Sequence, residues 1–314
     1  MSKRAVNWLF LVYLFVEAGL VALVLLTGIR FSVLSSIILT QVILLVPTLI
    51  FLLATKTKVS EMIPHKKLHP VTPLLCIVYT GLCMPLILVV NMISLLFVDN
   101  EATRMAAGMM GLPGWVMILA VGILGPVNEE FLFRGTFYGS YRKTGRILAA
   151  MFMSAFLFGL THLNFNQMSY AIVMGILAVL LIEATGSIVS SMILHACINT
   201  FSVLVTLLQK NIISEGNGNA REMIEEMMPG VSFTRIMLMA IFVYGMIALA
   251  ATTLAVLLLV GISYIEKRNV EFFNIFKKQK KTEGEKKETL WSIPLGIAVV
   301  LSFAYMIIEV LLPA

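Results

Sequence analysis

Charge is scarce in this sequence. Lys, Arg, Asp and Glu together make up 13% of its 314 residues, against roughly a quarter in an ordinary soluble domain. A chain with so few charges cannot coat a water-facing surface, which excludes a soluble globular protein. Cysteine is also rare. Cys76, Cys83 and Cys197 are the three present; all lie in apolar runs and none has CxxC spacing, so neither a disulfide framework nor a cysteine-based zinc site is indicated. The four histidines form no HExxH motif. No internal repeat is evident, which counts against transporters built from inverted repeats.

What is present is apolar sequence: 59% of residues are hydrophobic and the mean hydropathy is +0.96. Runs long enough to cross a hydrocarbon core, roughly 20 helical residues, recur along nearly the whole length. Splitting at polar clusters gives spans at Ala5–Ile29, Phe31–Ala54, Val71–Val98, Gly114–Tyr138, Ile147–Leu163, Ser169–Ala184, Ile188–Leu208, Arg235–Ile265 and Trp291–Leu312. The expected fold is an all-α polytopic membrane protein, a bundle of about 8–9 transmembrane helices. The sixth span is short and joins the seventh through Thr185-Gly186-Ser187, which predicts a tight or partly re-entrant hairpin. The first run is too long for a signal-peptide core and carries Glu17 in its middle, so it reads as a retained span.

The formal net charge of +6 sits in short loops, where it reads as an orientation signal and lipid-headgroup contact and not as a nucleic-acid surface. Alternate threading puts Lys3 and Arg4, the loop with Lys56, Lys58, Lys66 and Lys67, the loop with Arg142, Lys143 and Arg146, and the segment Glu266–Leu290 on one face. That face, and with it the N-terminus, is expected to be cytoplasmic. The opposite loops, around Asp99–Arg104 and Lys210–Phe233 with Glu215, Glu222, Glu225 and Glu226, are not enriched in basic residues. In Glu266–Leu290, Phe272, Phe273 and Phe276 precede Lys277, Lys278, Lys280, Lys281, Lys286 and Lys287; this reads as a solvated linker, or as a stretch lying on anionic lipid. Three regions follow: N-terminal helices over 1–110, a core over 111–208, and C-terminal helices over 209–314 with the basic linker 266–290.

An ionisable side chain near the bilayer centre costs about 2.5–3.5 kcal/mol on insertion scales, so a concentration of them needs a reason. The fourth to seventh spans hold one. Asn128-Glu129-Glu130-Phe131-Leu132-Phe133-Arg134-Gly135 sets two adjacent carboxylates in an apolar helix. Arg134 follows Glu130 by four residues on the same face and can neutralise it. Glu129 is turned about 100° away, free for another partner and a candidate general base. An Arg–Glu lock between helices is the structural alternative. Phe158 and His162 end the fifth span, and in the seventh His195 and Asn199 share a face. His65 and His69 lie in a basic loop and need no catalytic role.

Glu129-Glu130 with Arg134 (EExxxR), Phe158 with His162 (FxxxH) and His195 with Asn199 (HxxxN), in that order over roughly Gly114–Leu208, make the sequence similar to the CPBP family of CAAX proteases and bacteriocin-processing enzymes, formerly called Abi proteins. Glu183 ahead of Thr185-Gly186-Ser187 resembles the stretch before the family's third motif. The resemblance implies an intramembrane endopeptidase in which Glu129, His162, His195 and Asn199 line a cavity open to the cytoplasmic side, Glu129 activates a water and Arg134 holds Glu130. Two chemistries stay open. His162, His195 and Glu129 would be the ligands of a zinc ion, with the remaining glutamate as base; without metal, His195 and Asn199 would be oxyanion donors.

One count sits awkwardly with this. At about 1.5 Å per residue, His162 stands roughly 24 Å above the cytoplasmic loop, against about 16 Å for Glu129 and 12 Å for His195, so tilt or a low-starting fifth helix has to close the gap. Glu17 has no role in the motifs. The expected partners are membrane lipid and a peptide or protein substrate, either a prenylated C-terminus or a bacterial leader or bacteriocin-type peptide, with short loops favouring a bacterial source. The competing readings are a bacteriocin-immunity or scaffold protein that acts by binding, and a proton-coupled transporter with Glu129, Glu130 and His162 as relay. The oligomeric state is open.

Overall fold

A computed structural model of the chain describes residues 2–100, 108–208, 230–277 and 289–311. In lipid every backbone N–H and C=O must find a partner within the chain, so apolar runs of this length become helices whatever their β-branched content. They are α1 (Lys3–Thr27), α2 (Val33–Ala54), α3 (Thr72–Ser94), α4 (Gly114–Arg142), α5 (Ile147–Leu160), α6 (Phe165–Thr185), α7 (Ile188–Leu208), α8 (Phe233–Ile265), the short α9 (Asn269–Asn274) and α10 (Ile293–Leu311). Among the described residues, eight helices are long and apolar enough to cross a membrane, with α5 a shorter apolar one. The chain is an all-α polytopic membrane bundle.

Local chemistry sets the helix ends. Ser2, Ser32, Asn164 and Ser232 each accept a backbone N–H of the first turn, satisfying one of the donors a helix start leaves open. Gly186 ends α6 at φ +75°, a left-handed conformation that costs glycine nothing, and so folds α6 back onto α7. That is the expected hairpin, but its first arm is not short. α6 has 21 residues and α5 has 14, the reverse of the expected lengths. Asn166 and Gln167 look like loop residues by polarity alone. They enter the helix because Asn164 caps Gln167 N at 2.7 Å, while the buried Asn166 amide donates to Asn91 at 2.8 Å and Ser94 at 2.7 Å on α3.

α4 to α7 and α3 pack on one another at the centre; α8 lies along α3, α10 along α1, and α1 and α2 lean on α4. The loops expected to share a face do meet at one end of the bundle. Asn7 donates to Leu290 O at 2.9 Å and to Ser292 at 2.8 Å, and accepts from Tyr141 at 2.5 Å. Ile188 N bonds Pro64 O, and Lys66 N bonds Gly186 O. Glu183 takes Tyr138 at 2.7 Å and both Nε and Nη2 of Arg142 at 2.7 and 2.9 Å. In the following segment Phe272 is buried while Phe273 and Phe276 are exposed; Lys278, Lys280, Lys281, Lys286 and Lys287, like Glu215, Glu222, Glu225, Glu226 and Arg104, lie outside the described residues.

Glu266, at the end of α8, holds this end together. Its carboxylate accepts from Thr72 at 2.6 Å, from the His69 N–H at 2.8 Å and from Lys66 at 3.2 Å. Burial alone would raise its pKa, but these hydrogen bonds outweigh that and hold the carboxyl below its ordinary value of 4.5. Glu266→Ala strips three donors of their acceptor and is expected to lower the stability of the detergent-solubilised protein by about 1–3 kcal/mol. A depressed folded pKa stabilises above the unfolded value and loses that contribution as pH falls through the folded one. The melting-temperature gap between wild type and E266A should therefore be full at neutral pH and narrow only below about pH 4.5.

Candidate active site

Midway along α4 the backbone departs from regular α geometry, with π-helical turns at Ile118–Leu124 and Phe131–Tyr138 on either side of the two glutamates. Pro126 is one cause. It has no N–H, so carbonyls one turn before it lose their ordinary partner, which in lipid must be replaced. Gly125 N bonds Ala120 O, and α7 supplies the rest: Asn199 Nδ2 donates to Val121 O at 3.2 Å and Thr200 Oγ1 to Gly122 O at 3.3 Å. This needs near contact of backbones. A methyl on Gly122 would lie 2.7 Å from Thr200 Oγ1, so glycine there lets α7 approach. The missing donor thus sews α4 to α7 at the level of the glutamates and sets His195 one turn away from Asn199.

Glu130 and Arg134 form the expected pair at 3.0 Å, both wholly inaccessible to solvent. Arg134 is held from its other side by Phe158, whose ring centre lies 4.4 Å from the guanidinium carbon, a cation–π contact strengthened by the absence of water. His195 joins the carboxylates: its Nδ1 is 3.0 Å from Glu130 Oε1 and its Nε2 3.6 Å from Glu129 Oε2. Ser191, one turn before His195, is buried and donates to Ile188 O at 2.9 Å. Glu129 is the open member of the pair, with 17% of its side chain exposed against 0% for Glu130.

His162 reaches the same cluster by a different route from the one expected. It is not carried on α5, which ends at Leu160; it belongs to the turn whose Leu163 adopts φ +52°. From there its ring packs edge-on to Phe158 at 5.1 Å, and Phe158 packs edge-on to His195 at 5.5 Å. The height difference counted along the helices is therefore bridged by a phenylalanine ring. Phe158 is the hub of both histidines and the arginine, which its place in FxxxH hides, since an aromatic at helical spacing reads as core.

Two polar residues that the motifs omit also belong here. Gln41 on α2 accepts from Asn128 and lies beside Glu129, both flanking Gly125. Glu17 on α1 lies one turn from Tyr13, which is buried, and its Oε2 is buried without a hydrogen-bond partner among the described residues. A lone amide or acid inside an apolar span was the available signal. Cys76, Cys83 and Cys197 are free thiols, and the His65 ring bonds the nearby Ile63 carbonyl at 2.9 Å.

The donor set was also weighed against zinc. Among the described residues no three His, Cys, Asp or Glu side chains are gathered as a metal cage; both nitrogens of His195 face carboxylates, and His162 and His195 each pack edge-on to Phe158. As arranged, His162, His195 and Glu129 do not fit a three-ligand centre.

Comparison with known proteins agrees with this geometry. Residues 111–201 match the family model for type II CAAX prenyl endopeptidase Rce1-like proteins. A curated protein of Bacillus subtilis (strain 168), named "Putative membrane peptidase YdiL", is 31% identical over 93 residues, which is 29% of this chain and 38% of that protein. No solved structure matches. The matched segment contains Glu129, Glu130, Arg134, His162, His195 and Asn199, and over that segment the chain is similar to the type II CAAX prenyl endopeptidases.

Proposed function

We propose that this protein is an intramembrane endopeptidase that hydrolyses a peptide bond in a membrane-associated substrate, with Glu129 as general base. The observation that carries the reading is the asymmetry of the two carboxylates: Glu130 is sealed against Arg134 and His195, while Glu129 beside it is partly open and, among the described residues, meets no Lys or Arg at ion-pair distance. Glu129 takes a proton from a water held between it and the histidines, and the water oxygen adds to the scissile carbonyl carbon. The oxyanion faces the His195 edge and the second amide hydrogen of Asn199, whose first is committed to Val121 O. As the C–N bond breaks, Glu129 returns its proton to the leaving nitrogen, so one water is consumed and the base is regenerated. Arg134 acts through Glu130, which fixes the imidazole of His195.

The substrate is an apolar-anchored peptide, either a prenylated C-terminus or a leader-type peptide, presented from the end where the basic loops gather, which we assign to the cytoplasm. No step here passes through a metal, because the residues do not form a cage for one.

Glu129→Gln is expected to lower kcat on a lipid-anchored quenched peptide by roughly 10²–10⁴-fold with an unchanged melting temperature. Full activity in that variant would remove Glu129 as the base, and no cleavage by the wild type would leave the binding-protein reading. Dialysis against a zinc chelator, with metal content measured alongside, should leave the wild-type rate unchanged; a loss restored by zinc would return the metal mechanism. Arg134→Met strands a buried carboxylate and should destabilise the fold by about 3–5 kcal/mol, whereas adding Glu130→Leu should recover part of that loss.

A further inference from the structure

Gln41 lies on α2, outside the matched segment 111–201. Its side chain is tied at both ends. Asn128 Nδ2 donates to the Gln41 backbone carbonyl at 3.0 Å and to Gln41 Oε1 at 2.8 Å. The backbone carbonyl can only accept, so the Asn128 atom facing it must be the NH₂, and the Gln41 atom sharing that NH₂ must be the oxygen. The Gln41 NH₂ then has to point the other way, toward the side on which Glu129 lies. Both flank one small space above Gly125: a methyl placed on Gly125 would lie 3.5 Å from Gln41 Nε2 and 3.9 Å from Glu129 Oε1. The other carboxylate oxygen, Oε2, is the one turned to His195 Nε2 at 3.6 Å.

We propose that Gln41 is a positioning residue for the general base, gripping Oε1 of Glu129 so that Oε2 faces the reacting water; this rests on the reading of Glu129 as base. The grip comes from a neutral amide, so it fixes direction without placing a cation on the carboxylate. It makes α2 part of the catalytic unit and the segment 111–201 insufficient by itself. Asn128, just before the two glutamates, belongs to the same chain of amides: it sets which way Gln41 points.

The test uses full-length protein in liposomes and an acyl-anchored quenched peptide that the wild type cleaves. Gln41→Met keeps side-chain length and loses the amide, both the bond from Asn128 and the NH₂ turned toward Glu129. A base out of aim by about 1 Å costs on the order of 10²-fold, so kcat should fall about 10- to 100-fold while KM stays within about threefold. Asn128→Leu should act in the same direction, and the double variant should be no worse than Q41M, because the two act in series. Unchanged kcat, a change in KM alone, or additive losses would overturn the proposal. If Q41M fails to fold, Gln41→Glu keeps the Asn128 bond and turns an acceptor on Glu129; its kcat should fall likewise. If the wild type cleaves no peptide, the protease reading fails and the geometry is read by infrared difference spectroscopy: Q41M minus wild type should shift a carboxylate stretch that is absent from the same difference in the E129Q background, and no shift would sink the positioning role.

Discussion

Two carboxylates on consecutive residues of a helix in lipid are the constraint around which the rest of this structure is arranged. Each costs several kcal/mol to bury and they repel one another. Consecutive residues point about 100° apart, so one solution cannot serve both. Glu130 turns inward to Arg134 and His195; Glu129 faces the other ring nitrogen of His195 with one oxygen and has Gln41 of α2 beside it. Arg134 is then a buried charge in its own right, and Phe158 supplies the face it needs. That requirement pulls α5 against α4, and the same ring seats His162 and His195.

The backbone obeys the same rule as the side chains. Pro126 withholds a donor three residues before Glu129, and a bilayer offers no water to replace it. Asn199 and Thr200 of α7 make good the loss, so a defect in one helix becomes the register mark for its neighbour. His195 stands one turn from Asn199 on the same face, and its distance from Glu130 follows from where the carbonyls of Val121 and Gly122 were left open. Asn199 is thus placed by the backbone before any substrate arrives.

The parts legible in the sequence are those that depend on short-range spacing: the spans, the i, i+4 pair of Glu130 and Arg134, the shared face of His195 and Asn199, and the Gly186 hairpin. The common end of the basic loops was legible too, because charge alone governs it. Depth was not. Counting residues from a loop assumes a straight helix carries the side chain, and His162 sits on a turn beyond the end of α5. The start of α6 was misjudged for a related reason: Asn166 is polar yet buried, and only its partners Asn91 and Ser94 on α3 explain that. Gln41 pairs with Asn128 across 87 positions, and no local pattern in α2 announces it.

What separates a catalytic cluster from an ion lock is how its free carboxylate is restrained. A lock neutralises: Glu183 is gripped by Arg142 and Tyr138, Glu266 by Lys66 and Thr72, and Glu130 by Arg134, each with a cation within 3.2 Å. Glu129 is treated differently. A neutral amide, Gln41, lies beside it, one oxygen faces a histidine at a distance slightly beyond a hydrogen bond, and part of the side chain stays open. That combination fixes direction while leaving the lone pairs able to take a proton, which a helix lock does not need and a general base does. A relay carrying protons across the bilayer would call for titratable groups spread through its depth, whereas Glu129, Glu130, Arg134 and His195 are gathered at one level of α4 and α7. The arrangement of restraint, more than the presence of acids and histidines, is what favours hydrolysis.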